Sequence, residues 1–446
     1  MNKKLHWIGL ILLLISYSFN LQSQIISGPM VGYVEHRTAK IWVEVKYDSK
    51  VSLKYWQQNL NSSAQIAFPT HNKQFNFHTI IFDCVNMNPG SIYEFEIYYS
   101  NKPSGIRGKF KTQELWKWRK AAPDFSFLTG SCAYLNEPEF DRPTPYGGDT
   151  SIFNSMAKEN SEFMLWLGDN WYTREVDYGS QWGLWYRASR DRSLPSIQNF
   201  TNSIPQVAIW DDHDYGPNNE GVSYIFKNET REVFSAFWAN PTYGLDQKGV
   251  YSKASYYDVD IFLMDNRTWR SSDDMISYID EKPNPDKKMF GNEQLNWLKN
   301  ALLNSHATFK IIATGSPMLN RMNKFDCFVN YPIEHQELLR FLELHNIKGV
   351  LFITGDRHHN EIIEEKRVNK YSLYDLTLSP LTSGVYKLPN EELANPALVN
   401  GSVYQEQNYT RISVLGKTKD RKLKIEYMDK TGTPRFSWEI NESQLK

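Results

Sequence analysis

A chain of 446 residues with 41% hydrophobic and 23% charged side chains has enough apolar material for about two or three packed domains, which excludes a disordered chain. Its 50 Lys and Arg against 51 Asp and Glu leave a formal net charge of −1, so no electrostatic footprint marks it for nucleic acid or an anionic membrane. Three cysteines in so long a chain exclude a disulfide scaffold, and the 14% aromatic content reads as filling for β-rich cores.

The first 24 residues read as a secretory signal peptide: Lys3 and Lys4, an apolar run from Trp7 to Phe19, and an exit from Leu21 to Gln24. The run is short for a membrane span, and no later segment is long and apolar enough to be one. Without paired arginines or a cysteine at the exit, the expected route is general export, unanchored, to the periplasm or the medium. An odd number of cysteines leaves at least one thiol over. Cys132 is expected to be that thiol, with a Cys84–Cys327 bridge left open.

Residues 25–113 read as a small β-sandwich. Lys40 to Lys46 and Ser91 to Tyr98 alternate with period two, and Asn88-Pro-Gly90 is a turn before the latter run. No chemical motif falls there. Glu114 to Pro123 reads as a linker opening a second unit, residues 114–446, where apolar strands alternate with helical stretches. The strand-like runs are Phe125 to Thr129, Phe163 to Leu167, Gln206 to Trp210, Tyr257 to Met264, Phe309 to Thr314 and Gly349 to Thr354. Helical spacing recurs from Gln294 to Asn304 and from His335 to His345.

Most of these runs lead straight into residues able to bind a metal. The clusters are Gly130-Ser-Cys132, Gly168-Asp-Asn-Trp-Tyr172, Asp211-Asp-His-Asp214, Asp265-Asn-Arg267 and Gly355-Asp-Arg-His-His359. Ligands gather at the carboxyl ends of strands in α/β sheets. Any one cluster has a bland reading: a turn, a packed tyrosine, a buried thiol. Five together do not, and three acids around His213 repel one another unless a cation neutralises them. Carboxylates, phenolate, imidazole and thiolate suit a multinuclear centre that joins a strongly Lewis-acidic ion to a divalent one. An arginine nearby can pair with phosphate oxygens, for which Arg267 and Arg357 are candidates.

The order Gly130-Ser-Cys132, Gly168-Asp-x-x-Tyr172, Trp210-Asp-Asp-His-Asp214 with Asn218 after it, Asp265-x-Arg267 and Gly355-Asp-x-His358 resembles the PhoD-type alkaline phosphatases. Glu293 to Leu298, Leu378 to Ser383, Ser27-Gly-Pro-Met30 and Lys40-Ile-Trp-Val43 extend the resemblance over nearly the whole mature chain. It implies a calcineurin-like metallophosphoesterase core, a two-sheet α/β sandwich behind the N-terminal β-domain. It also implies an iron(III) (Fe3+) and calcium (Ca2+) centre, with Cys132 and Tyr172 on the iron and Asp169 bridging the metals. Asp212, Asp356 and His358 would complete the metal set, with Asp211 able to exchange roles with Asp212. His213 would stabilise or protonate the leaving group. The implied activity is hydrolysis of a small phosphoester, mono- or diester, by a monomer.

Two other readings compete. A purple acid phosphatase fits Gly168-Asp-Asn-x-Tyr172 but calls for Gly-His-x-His where this chain has Gly355-Asp-x-His358. A non-catalytic carbohydrate-binding protein leaves the acidic and histidine set without a purpose.

Overall fold

A computed structural model describes residues 24–46, 50–323 and 325–446; the expected signal peptide lies outside them apart from Gln24. Among the described residues, no helix is long and apolar enough to cross a membrane.

Two four-stranded antiparallel sheets face each other at the N-terminus. One runs Ile25–Val34, Ala39–Val45, Phe77–Cys84, Phe68–Gln74; the other Gln65–Ile66, Val51–Gln57, Ile92–Tyr99, Lys102–Lys111. Alternation sends one set of side chains inward, so Ile41, Val43, Leu53, Tyr55, Ile80, Phe82, Phe95 and Ile97 form a common fully buried core.

The remainder is a two-sheet α/β sandwich, the fold class the resemblance implies. In one six-stranded sheet, Gln206–Ile209, Met164–Leu167 and Phe125–Gly130 run parallel, and Asn408–Lys417, Asp420–Asp429 and Pro434–Asn441 complete it antiparallel. In the other, Val259–Leu263, Phe309–Thr314, Val350–Thr354 and Leu373–Thr377 run parallel between the antiparallel edges Ser252–Tyr256 and Glu361–Glu365. Phe127, Leu165 and Val207 of the first sheet meet Ile261, Ile311 and Leu351 of the second in one buried layer. Each such side chain contributes roughly 1.5–3 kcal/mol by leaving water. Helices Ser151–Met156, Gln181–Arg192, Pro195–Thr201 and Lys227–Phe237 supply the outer layer of the first sheet, and Gly291–Asn304 and Pro332–Leu344 that of the second.

The N-terminal unit is fastened to that helical layer and to the edge strand Ser252–Tyr256 by polar contacts. Trp42 Nε1 donates to Ala236 O (2.7 Å), Gln113 Nε2 to Ser255 O (2.8 Å), and Ser189 Oγ to the buried Glu44 carboxylate (2.6 Å).

The structure corrects one sequence expectation, adds strands the sequence reading missed, and closes the question left open on the cysteines. The run from Tyr257 to Met264 is not one strand: Tyr257 takes a left-handed φ of 51° in the turn before Val259–Leu263. The three C-terminal strands escape the sequence reading because Lys and Arg interleave their apolar positions, as at Leu423, Ile425 and Tyr427. All three cysteines are free and buried: Cys84 lies in the N-terminal core, while Cys327 Sγ donates to Asn320 O at 3.4 Å, so no Cys84–Cys327 bridge exists.

Candidate metal centre

The parallel strands of both sheets end on one rim, and the predicted donors come off those ends. Cys132 follows Phe125–Gly130; Asp169 and Tyr172 follow Met164–Leu167; Asp212 and His213 follow Gln206–Ile209; Asp356 and His358 follow Val350–Thr354. The chain must turn sharply where the strands crowd. A Cβ on Gly168 (φ 91°) would lie 2.6 Å from Asp211 Cβ, and one on Gly355 would lie 2.7 Å from Leu167 O. Beyond these glycines, Cys132, Asp169, Asp356 and His358 all hold positive φ, between 51° and 70°. Left-handed backbone at four non-glycine residues in one site concentrates conformational cost there.

Three sets of donor atoms lie within 4.8 Å of one another: Cys132, Asp169 and His358; Asp169, Asp212 and His213; Asp211, Asp212 and Asp356. Asp169 joins the first two sets and Asp212 the last two, which makes one connected site. Tyr172 Oη completes the first set, 2.8 Å from Asp169 Oδ2 and 3.1 Å from His358 Nε2. A cleft of about 240 Å³ opens over these groups, lined by Asp169, Asp212, His213, Asp356 and His358.

The electrostatics ask for a cation. Burial first, then the charges of Asp212, Asp211, Asp214 and Asp356, hold the Asp169 carboxyl well above its usual range. Asp356 is raised in the same way, by burial and then by Asp326 and Asp211. Burial followed by the Asp169 charge raises the Cys132 thiol and the Tyr172 phenol. His358 is pushed down to about 4 by burial, with His213 adding to the effect. Asp212 goes the other way: burial acts upward, but His213 and Arg267 outweigh it. Asp211 Oδ2 and His213 Nδ1 are buried without hydrogen-bond partners. Crowded acids, a thiol, a phenol and two imidazoles, one with a buried nitrogen left unpartnered, fit a hard or borderline metal ion.

Other predicted residues take supporting places. Arg267 is fully buried and is not among the cleft-lining residues. Its Nε donates to Asp211 Oδ1 (2.6 Å) and its Nη2 to Asp326 Oδ2 (2.8 Å), so the expected pairing with phosphate is corrected to a brace beneath Asp211. Asp211 thus spends Oδ1 on Arg267 and Asn266, whereas Asp212 lines the cleft. Asp265 is not a ligand: it accepts from Trp210 Nε1 and from the backbone of Arg267, Thr268 and Val250. Asp214 accepts from the backbone of Asn170 and Asp211 and locks their turns. His213 stacks on Tyr172, ring centroids 4.1 Å apart, and faces the cleft beside the donors.

Sequence reasoning missed Tyr146, Asp326, Phe325 and Tyr386. Tyr146 Oη lies 2.8 Å from His358 Nδ1, which leaves Nε2 facing Tyr172. Tyr146 lies in the loop from Pro138 to Gly148, whereas the segment from Arg270 to Gly291 supplies no residue to the cleft.

Comparison with known proteins follows the same lines. A family model described as PhoD-like phosphatase matches residues 127–438, and one described as a domain of unknown function (DUF7800) matches residues 22–104. Alkaline phosphatase D of Bacillus subtilis (strain 168) is 23% identical over 329 residues, which span 63% of this chain and 53% of that one. The chain therefore matches about half the length of that curated relative. A solved structure of PhoD superposes with a TM-score of 0.74 at 16% identity, covering 95% of this chain and 91% of the other.

Proposed function

The chain belongs to the PhoD-like phosphatase family, and on that premise we propose that it is an exported, metal-dependent phosphoesterase working as a monomer on small phosphomonoesters or phosphodiesters. The observation that carries the reading is the connected donor set on the strand ends of both sheets. Cys132, Asp169, Tyr172, Asp212, Asp356 and His358 would hold the ions, with iron(III) suited to the thiol and phenol side and calcium to the carboxylates. When bound, such a centre supplies positive charge for phosphate oxygens and acidifies water.

The chain's own residues do the rest. His213, facing the cleft with Nδ1 unpartnered, donates a proton to the leaving oxygen. Asn218 and Asn219 line the cleft with amide donors and orient the phosphate. Arg267 keeps Asp211 and Asp326 fixed, so that the donor set does not rearrange when substrate arrives. Elemental analysis of purified protein, run beside a panel of phosphomono- and diesters, tests the reading. Iron and calcium with ester turnover are expected; metal-replete protein that turns over no ester would end it.

A further inference from the structure

The cleft has an aromatic side. Phe325 and Tyr386 line it together with Asp356 and His358, their ring centroids 5.7 Å apart and their planes at 85°. Phe325 keeps 51% of its surface exposed although its neighbour Asp326 is buried. A single exposed phenylalanine is ordinary. This one is held in place. The guanidinium of Arg357, the residue between two proposed ligands, sits 4.6 Å from the Phe325 ring centre and 5.2 Å from that of Tyr386. Arg357 in turn pairs with Glu392 at 3.0 Å, both side chains buried. Tyr386 N donates to His358 O at 2.9 Å, which ties the second ring to the ligand loop itself. A buried ion pair is expensive to set up, and here it braces two rings in register with the donor atoms.

We propose that Phe325 and Tyr386 form an aromatic wall that selects phosphoesters whose leaving group carries an aromatic ring. The inference rests on the phosphoesterase reading and names the substrate class of that same site. Ring stacking and edge contacts act only on the leaving group, since the phosphate is fixed over the donors. The cleft, at about 240 Å³, has room for a phosphate and little more than one ring. The expected preference is about tenfold in kcat/KM, equivalent to ~1.4 kcal/mol.

The test compares 2-phenylethyl with propyl phosphates, as monoesters and as methyl diesters. Their alcohols are close in acidity, so leaving-group chemistry does not separate them. Wild type is expected to favour the phenylethyl ester about tenfold. In Phe325→Ala and Tyr386→Ala the ratio is expected to fall towards one, and in Phe325→Trp to persist. Calorimetric titration with 2-phenylethylphosphonate and propylphosphonate, which are not cleaved, should give the same ratios in Kd. Because the two esters control for each other, a variant with a merely structural fault loses both and keeps the ratio; that result overturns the wall. Equal kcat/KM in wild type overturns it too. No hydrolysis of any ester by metal-replete wild type removes the phosphoesterase reading and the wall with it.

Discussion

In the N-terminal sandwich the interior is almost wholly apolar, and Glu44, a buried acid at its junction with the helical layer, accepts from the hydroxyls of Ser27 and Ser189 among the described residues. On the rim of the double sheet the reverse holds. Asp169, Asp211 and Asp212 are buried, with Asp212 in reach of both others, on a rim whose backbone turns left-handed at four non-glycine residues. The first region is organised for stability, and its buried Glu44 is a local cost. The second crowds buried acids whose mutual repulsion a bound cation would offset. Identical chemistry, a carboxylate out of water, thus has opposite consequences in the two places.

The largest test of that contrast removes a donor. Asp169→Ala and His358→Ala should lose bound metal and phosphoesterase activity together, by on the order of 10³ in kcat/KM. Elemental analysis and initial rates check this; normal activity with full metal in either variant would refute the assignment. His213→Ala should separate the two losses, keeping metal while kcat falls about 10²–10³. If metal leaves as well, His213 is a ligand, as its place beside Asp169 and Asp212 also permits.

The sandwich supplies the matching experiment. Burial raises Glu44 from 4.5 to about 7, against the pull of its two serine donors. A carboxyl raised on folding binds its proton more tightly in the native state. Stability is therefore full below pH 4.5 and is lost as pH rises through 7, by roughly 3 kcal/mol in all. Glu44→Gln should escape that loss. Urea melts should show the variant more stable than wild type by roughly 3 kcal/mol at pH 8 and equal to it at pH 4. A constant difference across that range would mean that the carboxyl is already ionised in the fold.

What sequence reveals about the two regions also differs. Strand runs such as Phe309 to Thr314 were legible because they are short, apolar and bounded, and the donors were legible because each follows such a run. Arg267 was not. An arginine that clamps phosphate and one that braces acids look alike in sequence, and the choice turns on Asp326, 59 residues away, which no pattern near Arg267 announces. Asp265 misled for the same reason: its role is set by the backbone amides it meets. The aromatic wall was illegible because Phe325 and Tyr386 come from separate loops that meet only over the folded rim.

The smallest effect distinguishes the regions through two tyrosine hydroxyls. Tyr55 Oη donates to Val85 O at 2.8 Å inside the sandwich, and Tyr146 Oη meets His358 Nδ1 at 2.8 Å beside the candidate metal centre. Each phenylalanine variant removes a hydrogen bond of 2.8 Å. Tyr55→Phe also strands the Val85 N–H that its oxygen accepts, so about 1–3 kcal/mol of stability should go, with metal content and rate untouched. Tyr146→Phe leaves the imidazole free to rotate its Nε2 away from Tyr172. Metal affinity should fall about 10- to 100-fold, measured by chelator competition, with little change in the melting of the metal-free protein. If Tyr146→Phe behaves as Tyr55→Phe does, the His358 ring is held by packing alone, and the rim is more like the sandwich than its crowded acids imply.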